Sequence, residues 1–588
     1  MKKIAWTLAL TLGLISCSSV KEHFKKKREV KKSRRTVRNY GPVEKESPTF
    51  KDATKELGLD GQSAIHLYAV DFDGDGDTDL VSLPSYYSAP RFFKRTKKAR
   101  FTQVESPLPE GVQASYLIFA DFNRDGLYDL IVGVLNQKTE LTPRALRIFV
   151  GRAPDKNNPH FRYEEFVNPV DRMKFNPTSS LAILDYDLDG ELDVFEANWF
   201  DLKENPPGLV TNRIFKGQSD KTKQAKEVTY LLEDELKFNE DEKRFVNARP
   251  TFGVGICDLD DNGYPDIMTS NSDGHLNKLW MNLYDRKNKD RIFRDYAESS
   301  GFAQDDLGKL NLRGGGNSFF AVCNDYNNDG IYDVLTGELT RSIDNETRDR
   351  SSVLTGASPN FPPKFIRSEY YMSDGTLNWN QGDRRAIWAD FNNDGLSDVL
   401  VENSGFPPHS RLILFEQTKD HELVDKGKDY GIDLVNPSGI ISLDINGDGK
   451  MDFISGQSSL RAHGMKPRLY AFINKTENKN KGLRFYLRGK KANTFGIGAT
   501  VELVSSKRTQ KRFVEYSNGN LPSQNEEGIH FGLEEGEKAI ELRVRWPYLK
   551  KGKPQRWGYD LENSSKSYQQ FTVCDNGKLA KGRVKYCR

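Results

Sequence analysis

Histidine, cysteine and methionine are scarce in this 588-residue chain, at eight, five and seven residues. No His-Glu-x-x-His helix, Cys-x-x-Cys cluster or Gly-x-Ser-x-Gly elbow occurs, so the local signatures of zinc peptidases, dithiol redox proteins and serine hydrolases are missing. Long apolar runs are missing too. The stretch from Ile4 to Ile15 falls short of the roughly 20 residues that a spanning helix needs. Hydrophobic residues make up 36% of the chain and glycine numbers 48, which suits a loop-rich protein more than a helical one. A basic footprint for nucleic acid is also lacking. The net charge is only +3, and residues 18–48 alone carry eleven Lys or Arg against four Glu, leaving an acidic body.

What the chain has is one acidic loop written seven times. The first copy places Asp71, Asp73, Asp75, Asp77 and Asp79 at positions 1, 3, 5, 7 and 9, with Gly76 at position 6. The second has Asp121, Asn123, Asp125, Leu127 and Asp129; the third has Asp185, Asp187, Asp189, Glu191 and Asp193. Asp258, Asp260, Asn262, Tyr264 and Asp266 make the fourth; Asp325, Asn327, Asp329, Ile331 and Asp333 make the fifth. The last two run Asp390, Asn392, Asp394, Leu396, Asp398 and Asp444, Asn446, Asp448, Lys450, Asp452. Every position 6 is glycine, which supplies the sharp turn. A hard dication such as calcium takes six to eight oxygens. Alternate side chains, with the backbone carbonyl at position 7, would provide them. About seven calcium sites are expected.

The loops are not EF-hands. Those need a bidentate glutamate at position 12 between helices, and position 12 here reads Ser82, Val132, Glu196, Thr269, Thr336, Val401 and Ser455. Short apolar runs such as Tyr116-Leu117-Ile118-Phe119-Ala120 flank the loops and read as strands. The starts lie 50, 64, 73, 67, 65 and 54 residues apart, the length of a four-stranded sheet, which points to an array of similar units.

This pattern resembles the FG-GAP or VCBS repeat of integrin-like β-propellers, and the resemblance implies an all-β chain with seven blades, one calcium between the inner strands of each. Phe101-Thr102-Gln103-Val104 and Phe293-Arg294-Asp295 read as outer blade strands; Phe50, with no blade before it, is expected to close the ring by joining the last one. From about Gly482 the loops stop. Asn493, Gly496-Ile497-Gly498-Ala499, Gln524, Phe531-Gly532-Leu533 and Trp546-Pro547 resemble the ASPIC and UnbV domain that follows such propellers in the acidic cartilage protein-like family. The insertions at 201–245 and 337–371 match neither unit.

The expected organisation is a lipoprotein signal and lipobox at 1–17, a basic disordered tether at 18–48, the propeller at 49–480 and the C-terminal domain at 481–588. Leu14-Ile15-Ser16-Cys17 resembles a bacterial lipobox, so Cys17 is the expected lipidation site and the chain an exported, outer-membrane-anchored protein facing the periplasm or the cell surface. Cys574 and Cys587 can close a small loop, whereas Cys257 and Cys323 read as buried thiols.

Connections between second and third strands emerge opposite the calcium loops, and that face is the expected ligand surface. Its candidates are Tyr86, Tyr87, Trp199, His275, Arg341, His409, Arg461 and His463. The leading expectation is a binding protein for a glycan or an envelope protein, without catalytic residues. The alternatives are a polysaccharide lyase or sugar dehydratase on the same scaffold, or a structural assembly module.

Overall fold

The computed structural model describes Pro42, Lys45 and residues 48–96, 99–135, 146–166, 177–201, 208–218, 225–303, 316–340, 349–358, 360–370, 382–407, 409–462, 464–516, 519, 521–561 and 569–587. The signal segment with Cys17, nearly all of the basic stretch, and the candidates Arg341 and His463 lie outside the described residues.

The described chain is all-β apart from a few single turns of helix. Seven four-stranded sheets share one plan. Their first strands are His66–Val70, Tyr116–Ala120, Thr178–Leu184, Thr251–Cys257, Ser318–Asn324, Asp383–Ala389 and Pro437–Leu443, each ending on the residue before an acidic loop. The second strands all begin at a position 9 aspartate: Asp79–Leu83, Asp129–Gly133, Asp193–Asn198, Asp266–Asn271, Asp333–Glu338, Asp398–Asn403 and Asp452–Gln457. Antiparallel register pairs that aspartate with the residue before position 1, as in Val70 with Asp79 and Leu443 with Asp452. Second strands are buried along their whole length. Both faces are covered, so they read as near-continuous apolar runs with little alternation.

Neighbouring sheets share cores. Tyr68 and Phe119 join sheets one and two, Leu184 and Ile256 join three and four, Met268 and Val334 join four and five, and Leu400 and Phe453 join six and seven. A larger cluster unites Ile118 with Leu181 and Leu335 with Val399. Ile454 of the seventh sheet packs with Leu80 of the first. The expected outer strands are in place at Phe101–Val104 and Asp290–Asp295. Phe50–Asp52 forms the fourth strand of the seventh sheet, Phe50 opposite Asn474. There it sits edge-on to Phe391 at 5.7 Å and against Phe453 at 5.1 Å.

Three expectations are corrected. The stretch 337–371 holds the third and fourth strands of the fifth sheet, Ser352–Ser358 and Lys364–Glu369, and 201–245 holds Arg213–Lys216 and Lys226–Glu227 of the third. Outer strands such as Lys364–Glu369 alternate between exposed and half-buried residues, so they lack the apolar run that marks the inner ones. Cys257 and Cys323 are not thiols but a disulfide. They lie at the last and next-to-last residues of first strands in neighbouring sheets, a proximity that their 66-residue separation conceals. The pairing of Cys574 with Cys587 is as expected.

The last hundred residues form two further sheets around their own core of Phe485, Val501, Leu542, Trp546 and Phe571. One sheet orders Ile529–Leu533, Lys481–Arg488, Gln569–Cys574 and Leu579–Lys581, and its central pair is parallel. The other orders Thr509–Phe513, Thr500–Ser505, Ala539–Lys550 and Lys553–Asp560.

Candidate metal centres

Each acidic loop is held by the same backbone bonds. The position 6 glycine N–H donates to the position 1 carboxylate in all seven copies, at 2.7 to 3.0 Å. The position 7 N–H donates to the side chain at position 5, again in all seven. One oxygen of the position 9 aspartate accepts an N–H from the third strand of its sheet, or in the third copy from Gly217 just past it, running from Arg95 in the first copy to Asn474 in the last. Glycine is required at position 6, where φ lies between 82° and 98°.

Position 4 was not singled out in the sequence, yet it is left-handed in every loop: Gly74, Arg124, Leu188, Asp261, Asn328, Asn393 and Gly447. Five of these are Gly, Asn or Asp, the residues that tolerate this conformation. Arg124 and Leu188 hide the signal.

The carboxylates converge. Asp71, Asp73 and Asp79 place ligand atoms within 4.8 Å of one another, as do Asp185, Asp187 and Asp193, and Asp258, Asp260 and Asp266. In four other loops position 3 is asparagine, whose Nδ2 is turned to the position 5 carboxylate while Oδ1 stays in the loop. Several buried carboxylate oxygens have no hydrogen-bond donor, among them Asp71 Oδ1, Asp73 Oδ1, Asp79 Oδ2, Asp187 Oδ1, Asp258 Oδ1 and Asp325 Oδ1. A buried anion left unpaired is costly. A hard cation among oxygen donors supplies what these atoms lack.

Burial, reinforced by neighbouring carboxylates, pushes Asp79 up to about 9, Asp129 and Asp333 up to about 8, and Asp258 and Asp325 up to about 7. Two lysines answer part of this charge. Lys94 reaches Asp73 and Asp75, and Lys216 reaches Asp187 and Asp189.

The C-terminal unit sits on the loops. Arg545 contacts Asp258 and meets Asp261 at 2.9 Å. Lys511 Nζ bonds Asp261 at 3.2 Å and the Gly330 carbonyl at 2.9 Å. Arg583 lies 3.4 Å from Asp71 and donates to the Gly76 carbonyl. In return Arg124 donates to the carbonyls of Lys490 and Ala492. Gly532 shows why its motif needs glycine, because a Cβ there would stand 1.9 Å from Asp390 Oδ2 and 2.6 Å from Asn393 Cα.

Glu515, Gly519 and residues 521–527 of this unit lie along the first strands of the sheets. Glu515 accepts from Ile256 N, Leu521 N donates to Ser179, and Arg385 donates to the Leu521 carbonyl. Gln524 pairs with Leu67 and Ala69 through its backbone and with both N–H and C=O of Phe119 through its amide. Asn525 and Glu526 accept from Ser442 and Asp444. First strands of six of the seven sheets are thereby bonded to these residues, which satisfy part of the backbone edge the strands present.

On the opposite side, Tyr86, Tyr87 and His275 are half-buried, while His409 and Arg461 are exposed. Trp199 departs from expectation. It is 4% exposed, stacked on Phe252 at 5.1 Å, with its indole N–H on Ser272. Its place is the core, because Phe252 of the next sheet covers it.

Among solved structures, a lectin of Agrocybe aegerita that recognises non-reducing terminal N-acetylglucosamine is similar at 14% identity and a TM-score of 0.36, covering 62% of this chain and 80% of its own. The V. cholerae biofilm matrix protein Bap1 is similar at 10% identity and a TM-score of 0.32, covering 87% and 69%. The comparison with curated proteins finds no match. Residues 71–132 and 390–455 match the FG-GAP-like repeat model and residues 489–562 the ASPIC and UnbV model, so the chain carries FG-GAP-like repeats followed by an ASPIC and UnbV domain.

Proposed function

We propose that this is a calcium-stabilised, seven-bladed propeller at the bacterial cell envelope, anchored through a lipid on Cys17, whose face opposite the loops recognises a glycan or an envelope protein. FG-GAP-like repeats with an ASPIC and UnbV domain suggest a cell-surface or adhesion-type β-rich protein. One observation carries the choice of face. The C-terminal unit covers the acidic loops, and its Leu521 and Gln524 bond the first strands of the sheets, so the opposite ends of the sheets are the surface left for a partner. Radial closure is supported by the pairing of Phe50–Asp52 with Arg468–Asn474 and by the core that sheets seven and one share. Calcium fits the oxygen-only donor sets better than zinc or copper, which favour nitrogen and sulfur.

The test is a glycan array and an envelope-protein pull-down with the full chain in calcium, repeated after Arg461→Ala and His409→Ala. Retained partners that both substitutions release support the reading. Partners released only by substitutions in the C-terminal unit would move recognition to the other side and refute it.

A further inference from the structure

Loops one and three are written differently from the rest. Both carry aspartate at positions 3 and 5, Asp73 with Asp75 and Asp187 with Asp189, where the other five combine one aspartate with one asparagine. The asparagine has a use. In loops two, five, six and seven its Nδ2 donates from position 3 to Oδ2 of the position 5 aspartate, and in loop four Asn262 donates back to Asp260 Oδ2, all at 3.0 to 3.2 Å. One N–H thus bridges positions 3 and 5 in each of the five.

Two aspartates have no such proton, and a lysine brings it. Lys94 Nζ contacts Oδ2 of both Asp73 and Asp75, and Lys216 Nζ contacts Oδ2 of both Asp187 and Asp189. Each lysine stands on the third strand of its sheet, one residue before the N–H that serves the position 9 aspartate. The same place holds Val150, Met281, Thr355, Glu416 and Ile473 in the other copies, so lysine occurs there only beside an Asp–Asp pair.

The lysines use Oδ2 and leave Oδ1. Asp73 Oδ1 and Asp187 Oδ1 stay buried without a donor, as does Oδ2 of Asp79, which is 0% exposed. A cation within the loop and the lysine beside it therefore engage different oxygens. Charge follows the same logic. Positions 1, 3, 5 and 9 hold four carboxylates in loops one and three and three in every other loop, so one lysine brings each of the two to the −3 of the rest. The arginines that approach from the C-terminal unit arrive with further carboxylates, Arg583 with Glu527 and Arg545 with Asp261, both at 2.9 Å.

We propose that Lys94 and Lys216 are positioning residues of the metal loops: each replaces the asparagine N–H and cancels the additional carboxylate, so that loops one and three take calcium over the same concentration range as the other five. This rests on the calcium reading above and names the residues outside the loops that set affinity. Calcium affinity follows ligand charge and the rigidity of the site, and partners that orient the ligands contribute to it.

Hydrogen exchange of the full chain, read by mass spectrometry on the peptide of each loop across a calcium titration, tests this in wild type, Lys94→Met, Asp73→Asn and the double variant. A unit charge beside a divalent ion changes affinity on the order of tenfold. Lys94→Met keeps the apolar stem and is expected to lower the calcium midpoint of loop one about tenfold, whereas Asp73→Asn is expected to raise it about tenfold. The double variant rewrites loop one in the grammar of loop two and is expected to return to the wild-type midpoint, while loop two stays unchanged throughout. Lys216→Met repeats the test on loop three. A lysine with a merely structural role would raise the midpoint when removed and leave the double variant worse than either single one, and that result would overturn the proposal. Unchanged midpoints in both single variants, with calcium-dependent protection intact, would overturn it while leaving the calcium reading standing. Absence of calcium-dependent protection at every loop would overturn both.

Discussion

Arg545 and Asp261 lie 284 residues apart in sequence and meet through two bonds, from Nη1 to the aspartate carboxylate and to its backbone carbonyl, both at 2.9 Å. The second Nη of the same guanidinium holds Asp258, the position 1 carboxylate of that loop. Arg545 therefore reads a loop's left-handed position 4 and its position 1 carboxylate together. Arg545→Ala strands the buried Asp258, and breaking such a pair from one side costs about 3–5 kcal/mol. Urea denaturation is expected to show a lower midpoint, and limited proteolysis to release a C-terminal fragment; an unchanged midpoint would contradict the seating described.

Calcium removal has a pH signature. Burial raises the folded-state values of Asp79, Asp129 and Asp333 above the ordinary carboxylate range. Between the unfolded and folded values the native chain binds more protons than the unfolded one, so stability falls as pH rises through that window. In chelator, melting temperature is expected to fall steadily from about pH 5 to pH 9. With calcium the carboxylates stay ionised against the metal, and the stabilisation by calcium grows over the same range. Calorimetry in both conditions checks this, and a chelated melting temperature that rises with pH would refute it.

Position 6 separates backbone strain from docking. Gly330 has φ of 86° and open space where a Cβ would go, whereas Gly263 has φ of 94° and a Cβ would meet Pro554 Cγ at 2.6 Å. Gly330→Ala should cost about 1–2 kcal/mol from the left-handed backbone alone. Gly263→Ala should cost more and also loosen the C-terminal unit. Equal losses in chemical denaturation would remove Pro554 from the account.

The Cys257–Cys323 disulfide staples two neighbouring first strands immediately before Asp258 and next but one to Asp325. Replacing both cysteines by serine is expected to cost about 2–5 kcal/mol and to weaken calcium binding at loops four and five before the others. Calorimetric titration of the variant measures both effects.

Gln524 bonds both backbone groups of Phe119. Gln524→Ala leaves a buried donor and acceptor unmet, at about 1–3 kcal/mol each. Hydrogen exchange at Phe119 should accelerate relative to Ile131 on the neighbouring strand.

The loops were legible because their grammar is local: carboxylate or amide side chains at positions 1, 3, 5 and 9 with glycine at position 6 recur within nine consecutive residues. Phe50 was legible because an outer-strand phrase without a preceding sheet has only one place to go. What escaped depends on distant neighbours. Trp199 looked like a surface aromatic until Phe252 covered it, and Cys257 looked solitary until the adjacent sheet brought Cys323 to it. Gln524 was visible as part of a motif, but nothing nearby in sequence shows that its amide addresses Phe119, 405 residues earlier. Lys364–Glu369 escaped for another reason, since an edge strand with one wet side carries no apolar run.

Gln524 and Leu521 follow all seven four-stranded sheets in sequence. Chains emerge from the ribosome amino end first, so the sheets holding Leu67, Phe119 and Ser179 exist for hundreds of residues of synthesis before Gln524 and Leu521 arrive to fill the gap between them. A product ending after Asn474 would carry all seven four-stranded sheets yet leave the groups of Leu67, Ala69 and Phe119 that Gln524 bonds without their partner.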